Sequence, residues 1–216
     1  MAAVIFDLDG TLVDSAPDIH AAVNRLLLVE GAPPLAFNMV KQFIGNGVPT
    51  LIARVMAAQG RAGDDLHARW LVRFMADYAD GATDLTRLYP GVPEALAALR
   101  GAGHVLGICT NKPEAPARHV LESFGLAGYF AVVLGGDSMT VRKPDPAPLR
   151  AVAEALGHGP VIFVGDSEVD AETAEAAGVP FLLFTEGYRK SDVEAIAHAA
   201  RFESFAMLPG LVATQL

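Results

Sequence analysis

Five short apolar runs recur along the chain, at Ala3–Phe6, His104–Cys109, Ala131–Leu134, Val161–Val164 and Phe181–Phe184. They are apolar almost continuously rather than at every second position, which is the pattern of strands covered on both faces of a parallel sheet. Between the later runs, apolar residues return at helical spacing over Pro93–Arg100, Glu114–Ser123, Pro148–Leu156 and Asp170–Ala177. A glycine follows each of these segments within two residues (Gly101, Gly125, Gly157, Gly178), where helices are expected to stop. Strands alternating with helices predict an α/β fold with a doubly wound parallel sheet.

One region departs from this alternation. Between the first strand and Tyr89-Pro90-Gly91 the pattern is helical throughout, over Pro17–Glu30, Phe37–Ile44, Val48–Gln59 and Asp64–Asp80. These four segments read as a helical insert whose crossings to the main domain lie near Asp14-Ser15 and Leu88-Tyr89-Pro90. The expected organisation is therefore a core of residues 1–14 and 88–216, with a cap of residues 15–87. The insert hangs from the loop after the first strand, so it is a candidate lid. Trp70, Phe74 and Tyr78 recur at helical spacing in it and are read as insert core.

Composition narrows the function. With 216 residues and 52% apolar residues, the chain can bury a sizeable core. A formal net charge of −9 argues against general binding to nucleic acid or to a membrane surface. The single cysteine, Cys109, allows neither an intrachain disulfide nor a thiolate metal cage, and it reads as a buried, unreactive strand residue. The histidines (His20, His67, His104, His119, His158, His198) show no paired ligand spacing. No signal peptide and no run of membrane-spanning length stand out, so a cytoplasmic location is expected.

Ligands of open α/β sheets bind outside the carboxyl ends of the strands, so the residues just after each apolar run carry the chemistry. After the first run come Asp7 and Asp9; after the second, Thr110, Asn111 and Lys112; after the third, Gly135-Gly136-Asp137 and then Arg142-Lys143-Pro144. After the fourth come Gly165, Asp166 and Ser167, with Asp170 one helical turn on. Several carboxylates converging on one rim call for a cation. Oxygen ligands without a cysteine or histidine cluster favour Mg²⁺, with Ca²⁺ as the runner-up. Lys143 and the Thr110 hydroxyl would complete a site for a doubly charged phosphoryl group.

The stretches FDLDGTLVDS, CTNK, RKPDP and VGDSEVD, in that order, resemble the four motifs of the haloacid dehalogenase superfamily. The second aspartate of the first motif places the resemblance in its phosphatase branch. GGDSMTVRKPDPAPL, GDSEVDAETA and TEGYR further resemble bacterial phosphoglycolate phosphatases. The resemblance implies a Rossmann-like core with a small α-helical cap of the C1 type inserted after the first strand. It also implies Mg²⁺-dependent hydrolysis of a small phosphomonoester, with 2-phosphoglycolate the first choice of substrate. Asp7 would be the nucleophile that forms an aspartyl-phosphate. Asp9 would be the general acid and base, carrying a proton at neutral pH and reaching the metal through its backbone carbonyl. Asp7, Asp9, Asp166 and Asp170 form the expected metal set, with Asp170 ligating directly or through water. Thr110, Asn111 and Lys143 would hold the phosphoryl group, and Lys143 would offset charge on Asp7.

In the cap, Gly45-Asn46-Gly47 falls where family caps carry a specificity loop, and it is taken as a backbone cradle for the substrate. Lys41 and Arg54 are weaker candidates for a substrate carboxylate, and His20 is one for a cleft-facing residue. A phosphosugar mutase of the same superfamily, a phosphatase for another small monoester and a non-catalytic phosphate binder remain open at this point. Whether the chain is a monomer or a homodimer is not legible in the pattern.

Overall fold

The first apolar run folds as β1 (Ala3–Phe6), buried at every residue. The chain then makes a short strand, β2 (Val13–Asp14), and four helices, α1 (Ala16–Val29), α2 (Phe37–Phe43), α3 (Val48–Ala58) and α4 (Asp64–Ala79), and returns through β3 (Arg87–Leu88). Strands and helices then alternate: α5 (Val92–Gly101), β4 (Val105–Cys109), α6 (Glu114–Ser123), β5 (Phe130–Leu134) and α7 (Ala147–Leu156). They continue through β6 (Val161–Gly165), α8 (Glu168–Ala177), β7 (Phe181–Phe184), β8 (Ala200–Phe202) and α9 (Leu208–Thr214). The computed structural model describes residues 1–79, 83–157 and 159–216; Asp80 and His158, both named above, lie outside the described residues.

Six strands form one parallel sheet in the order β5-β4-β1-β6-β7-β8. β1 lies between β4 and β6, with Phe6 level with Ile108 on one side and Val164 on the other. The chain builds outward from β1 to β5, then crosses back to β6 and builds outward the other way. β1 is thus the switch point of the sheet, where open α/β folds place their ligands. The continuous apolar runs follow from burial on both faces. In β1, Val4 and Phe6 join one hydrophobic cluster and Ile5 the other; in β6, Ile162 and Val164 divide from Phe163 in the same way.

The insert has a hydrophobic cluster of its own. Val23, Leu26 and Leu27 of α1 meet Leu51, Ile52 and Val55 of α3 and Trp70 and Phe74 of α4, all buried. Its crossings pair as a two-stranded antiparallel ribbon, with Val13 opposite Leu88 and Asp14 opposite Arg87. The buried Asp18 carboxylate of α1 secures the return crossing, accepting from the Leu85 and Thr86 amides and from the Thr86 hydroxyl.

The five predicted strands are all present, shifted by a residue at some ends. β8, α9 and the β2–β3 ribbon correct the sequence reading, which had none of them. β8 has three residues and the ribbon strands two each, too few to show a period. α8 also begins earlier than expected, at Glu168, because Ser167 and Asp170 close a capping box at its start.

Candidate active site

Asp7 is the first residue beyond β1, and its amide donates to the Val164 carbonyl at 2.9 Å. That bond holds the residue at the strand's carboxyl end, where it is 8% exposed. Its Oδ1 accepts from the Leu8 amide at 2.7 Å and lies 3.1 Å from Lys143 Nζ. Burial raises the Asp7 pKa to about 6; Lys143, a hydrogen bond from Thr110 and the Leu8 amide oppose the rise, and the neighbouring Asp170 adds to it.

Asp166 follows β6 and is buried. Its two oxygens accept from the Thr11 hydroxyl at 2.8 Å and the Tyr188 amide at 2.6 Å. Burial pushes its carboxyl well above the usual range, and Asp170 and Asp7 push it further. Gly10 makes this approach possible. It sits at φ +90°, and a Cβ there would fall 2.4 Å from Asp166 Oδ2, so the glycine of the first motif leaves room for the carboxylate.

Asp170 Oδ1 pairs with Lys143 Nζ at 2.6 Å. Its Oδ2 accepts from the Ser167 hydroxyl at 2.7 Å and from the Asp166 and Ser167 amides at 3.2 Å. Lys143 therefore lies between Asp7 and Asp170. Burial works against its ammonium, but the two carboxylates outweigh burial and raise its pKa above the ordinary lysine value. Asp7, Asp166 and Asp170 each bring an oxygen to within 4.8 Å of the others. Three buried carboxylates share one lysine, and burial is the largest cause of the raised pKa values of Asp7 and Asp166. An all-oxygen donor set of this kind fits a hard divalent cation.

Asp9 lies nearer the mouth of the site. Its Oδ1 accepts from the Ser15 hydroxyl at 2.6 Å and from Lys112 Nζ at 2.9 Å, and its Oδ2 lies 3.2 Å from the same nitrogen. The structure thus sets Asp9 between Ser15 and Lys112. Lys112 is 5% exposed and also donates to Tyr78 Oη of α4. Burial disfavours its charge, but Asp9 and Tyr78 more than compensate and raise its pKa.

The cap closes over these groups. Its Ile19, Ile44, Val48, Leu51, Phe74 and Tyr78 face Asp7, Asp9, Thr110, Asn111 and Lys112 across a cleft. Gly45 and Gly47 also line the cleft, whereas the Asn46 side chain turns to Arg54, accepting from it at 2.9 Å. Asn111 ties the two halves together, donating to the Gly45 carbonyl at 2.9 Å and the Lys143 carbonyl at 3.0 Å. Its Oδ1 is buried without a partner among the described residues.

The structure thus brings Asp7, Asp9, Thr110, Asn111, Lys143, Asp166 and Asp170 together at one rim and sets Gly45 and Gly47 opposite them. Other candidates fall elsewhere. Arg54 binds the Phe43 carbonyl and Asn46 within the cap, and Lys41 sits over the Tyr188 ring. His20 contacts the Leu35 carbonyl and the ring of Phe37. None of the three lines the cleft. The exposed Asp137 accepts from the Glu114 amide at the start of α6. Cys109 is buried with its pKa pushed up to about 12, consistent with an inert thiol.

Sequence reasoning gave no role to Thr11, Ser15, Lys112 or Tyr188, and it read Tyr78 as cap core alone. Thr11 and Ser15 lie within the first motif, Lys112 within CTNK and Tyr188 within TEGYR, so adjacency was their only signal. The partners of Tyr188 are more than twenty residues away in the chain.

A sheet whose switch point carries clustered carboxylates and a buried lysine, beneath a helical lid, defines a class of enzyme that works on an anionic group sheltered from water. The chain belongs to the haloacid dehalogenase-like hydrolase family, whose model matches residues 1–178. It is 53% identical over 213 residues to the phosphoglycolate phosphatase of Cereibacter sphaeroides strain ATCC 17029, covering 98% of each chain. It is 42% identical to the phosphoglycolate phosphatase of Rhodobacter capsulatus, covering 97% of this chain and 96% of that one. Among solved structures, a predicted phosphoglycolate phosphatase from Haemophilus somnus superposes with a TM-score of 0.92 at 32% identity, over 97% of both chains. No helix among the described residues is long and apolar enough to cross a membrane.

Proposed function

We propose that this enzyme hydrolyses 2-phosphoglycolate to glycolate and phosphate, with Mg²⁺ as its metal. The observation that carries this reading is the Asp7 carboxylate at the switch point, 3.1 Å from Lys143 and open to a small covered cleft. The phosphoglycolate phosphatases that match nearly the whole chain support the substrate.

In this reading Asp7 attacks phosphorus. An Asp7–phosphorus bond forms, the bond to the leaving oxygen breaks, and Asp9 transfers a proton to that oxygen. Water then attacks the aspartyl-phosphate while Asp9 takes its proton, which frees phosphate and restores Asp7. The Thr110 hydroxyl and the Asn111 backbone N–H hold phosphoryl oxygens, and Lys143 balances charge on Asp7 and the transferring group. Asp7, Asp166 and the Asp9 backbone carbonyl would hold Mg²⁺, with Asp170 beside them, bonded to Lys143 and Ser167. When bound, Mg²⁺ supplies charge stabilisation at the phosphoryl oxygens. Residues 15–87 serve as the cap and residues 1–14 and 88–216 as the core. The separate hydrophobic cluster of the insert supports this division, since among the described residues Tyr188 is its only buried member from outside the insert.

Release of inorganic phosphate from a panel of small phosphomonoesters, with and without Mg²⁺, tests the proposal. The highest kcat/KM is expected for 2-phosphoglycolate with metal, and loss of turnover by at least about a thousandfold is expected in Asp7→Asn. Undiminished turnover in that variant, or a clear preference for another monoester, overturns the reading.

A further inference from the structure

A 2-phosphoglycolate molecule carries two anionic ends, and the residues assigned so far account for only one. The cap wall offers a carboxylate no positive charge among the described residues that line the cleft. Among the described residues that line the cleft, Lys112 alone bears a positive charge. The basic residues of the cap that the sequence brought forward are engaged elsewhere, Arg54 with Phe43 and Asn46 and Lys41 with the Tyr188 ring. Lys112 comes instead from the core, at the end of the loop after β4, with a side chain only 2% exposed. A lysine buried this deeply is uncommon unless a specific anion requires it.

We propose that Lys112, with the Tyr78 hydroxyl beside it, is the receptor for a carboxylate on the substrate's leaving group. Together they set the preference for phosphorylated acids over uncharged phosphomonoesters. This rests on the phosphomonoesterase reading above and specifies the chemistry of the leaving group.

The donor inventory allows it. Lys112 Nζ has three N–H groups and spends two contacts on one carboxylate, at 2.9 Å and 3.2 Å to the oxygens of Asp9. Ser15 also donates to Asp9 at 2.6 Å, so Lys112 can give one contact to a substrate oxygen and Asp9 stays hydrogen-bonded. The Tyr78 hydroxyl accepts from Lys112 and, among the described residues, donates to none, so its proton is free for the same carboxylate. Lys112 lies on the core and Tyr78 on α4 of the cap. A carboxylate bound between them is bonded to both halves and reports its presence to the lid. A neutral leaving group leaves both donors unmet, and an unmet buried donor is penalised.

The test uses two phosphonates that differ only in charge at the far end. 3-Phosphonopropanoate replaces the ester oxygen of 2-phosphoglycolate with a methylene, and propylphosphonate lacks its carboxylate. Their binding to the full-length enzyme with Mg²⁺ is measured by calorimetry, so no turnover is needed. Wild type is expected to prefer the acid by roughly ten- to a hundredfold, the range of one charge-assisted hydrogen bond. Lys112→Met is expected to bring that ratio close to one, Lys112→Arg to restore part of it, and Tyr78→Phe to lower it by a few fold. Tyr78→Phe keeps the test decisive if Lys112→Met fails to fold. An acid preference undiminished in folded Lys112→Met, or undiminished in Tyr78→Phe if only that variant folds, overturns the receptor and leaves the phosphatase reading standing. A wild-type enzyme that hydrolyses p-nitrophenyl phosphate but shows no acid preference overturns both the receptor and the choice of 2-phosphoglycolate.

Discussion

Asp7 and Asp9 are two residues apart, yet their surroundings differ in kind. Asp7 is enclosed by Lys143, Thr110 and two further carboxylates, whereas Asp9 faces the cleft from between Ser15 and Lys112. That contrast supports unlike roles, and the role of Asp9 can be checked through the leaving group. p-Nitrophenolate departs without needing a proton, whereas the alkoxide of an aliphatic ester does not. Asp9→Asn is therefore expected to lose on the order of a hundredfold or more in kcat on 2-phosphoglycolate and much less on p-nitrophenyl phosphate. Equal losses on both substrates would remove Asp9 from the acid step.

At the scale of elements, the device that seats the cap is Tyr188, in the loop after β7. Its hydroxyl accepts from the Ser15 and Ala16 amides at 2.7 and 2.9 Å and donates to Asp14 Oδ1 at 2.7 Å. α1 has no side-chain cap from its own N-cap residue, Ser15, and this core tyrosine satisfies amides that a helix start leaves open. The Tyr188 amide also holds Asp166, so one residue bonds both to the ribbon crossing and to the carboxylate cluster. Tyr188→Phe leaves two buried N–H groups unpaired and is expected to cost about 2–4 kcal/mol in a denaturant titration. A loss below about 0.5 kcal/mol would show that water replaces the hydroxyl. Neighbouring elements were unequally legible. α6 was read to the residue from its apolar spacing and its glycine stop, and α8 was missed at its start because the helical pattern was counted from Asp170. Its cap role needs Ser167 brought within reach, a contact that spacing only hints at.

The whole molecule carries an electrostatic debt at its centre. Burial raises the Asp7 pKa from 3.8 to about 6, so between these values the metal-free fold binds more protons than the unfolded chain. Stability then falls as pH rises through that window and stays lower above it. A divalent cation cancels the deficit only where the carboxylates are ionised. The gain in Tm on adding Mg²⁺ is therefore expected to be larger at pH 7.5 than at pH 5, measured by scanning calorimetry. A gain that does not vary with pH would count against metal binding at this cluster.

By itself the sequence determined the α/β alternation, the helical insert and the core of the site. Apolar runs and helical periods are local signals, and motif residues sit directly after strands that the pattern marks out. Only the tertiary structure decided which residues complete the site. Lys112 meets Asp9 across 103 positions and Tyr78 across 34; Tyr188 reaches Ser15 across 173. Such pairings are set by how the sheet is wound and how the cap packs on it, and no local spacing encodes them. The same winding moved Arg54, Lys41 and His20 away from the cleft, and among the described residues that line the cleft it put the one cation on the core side.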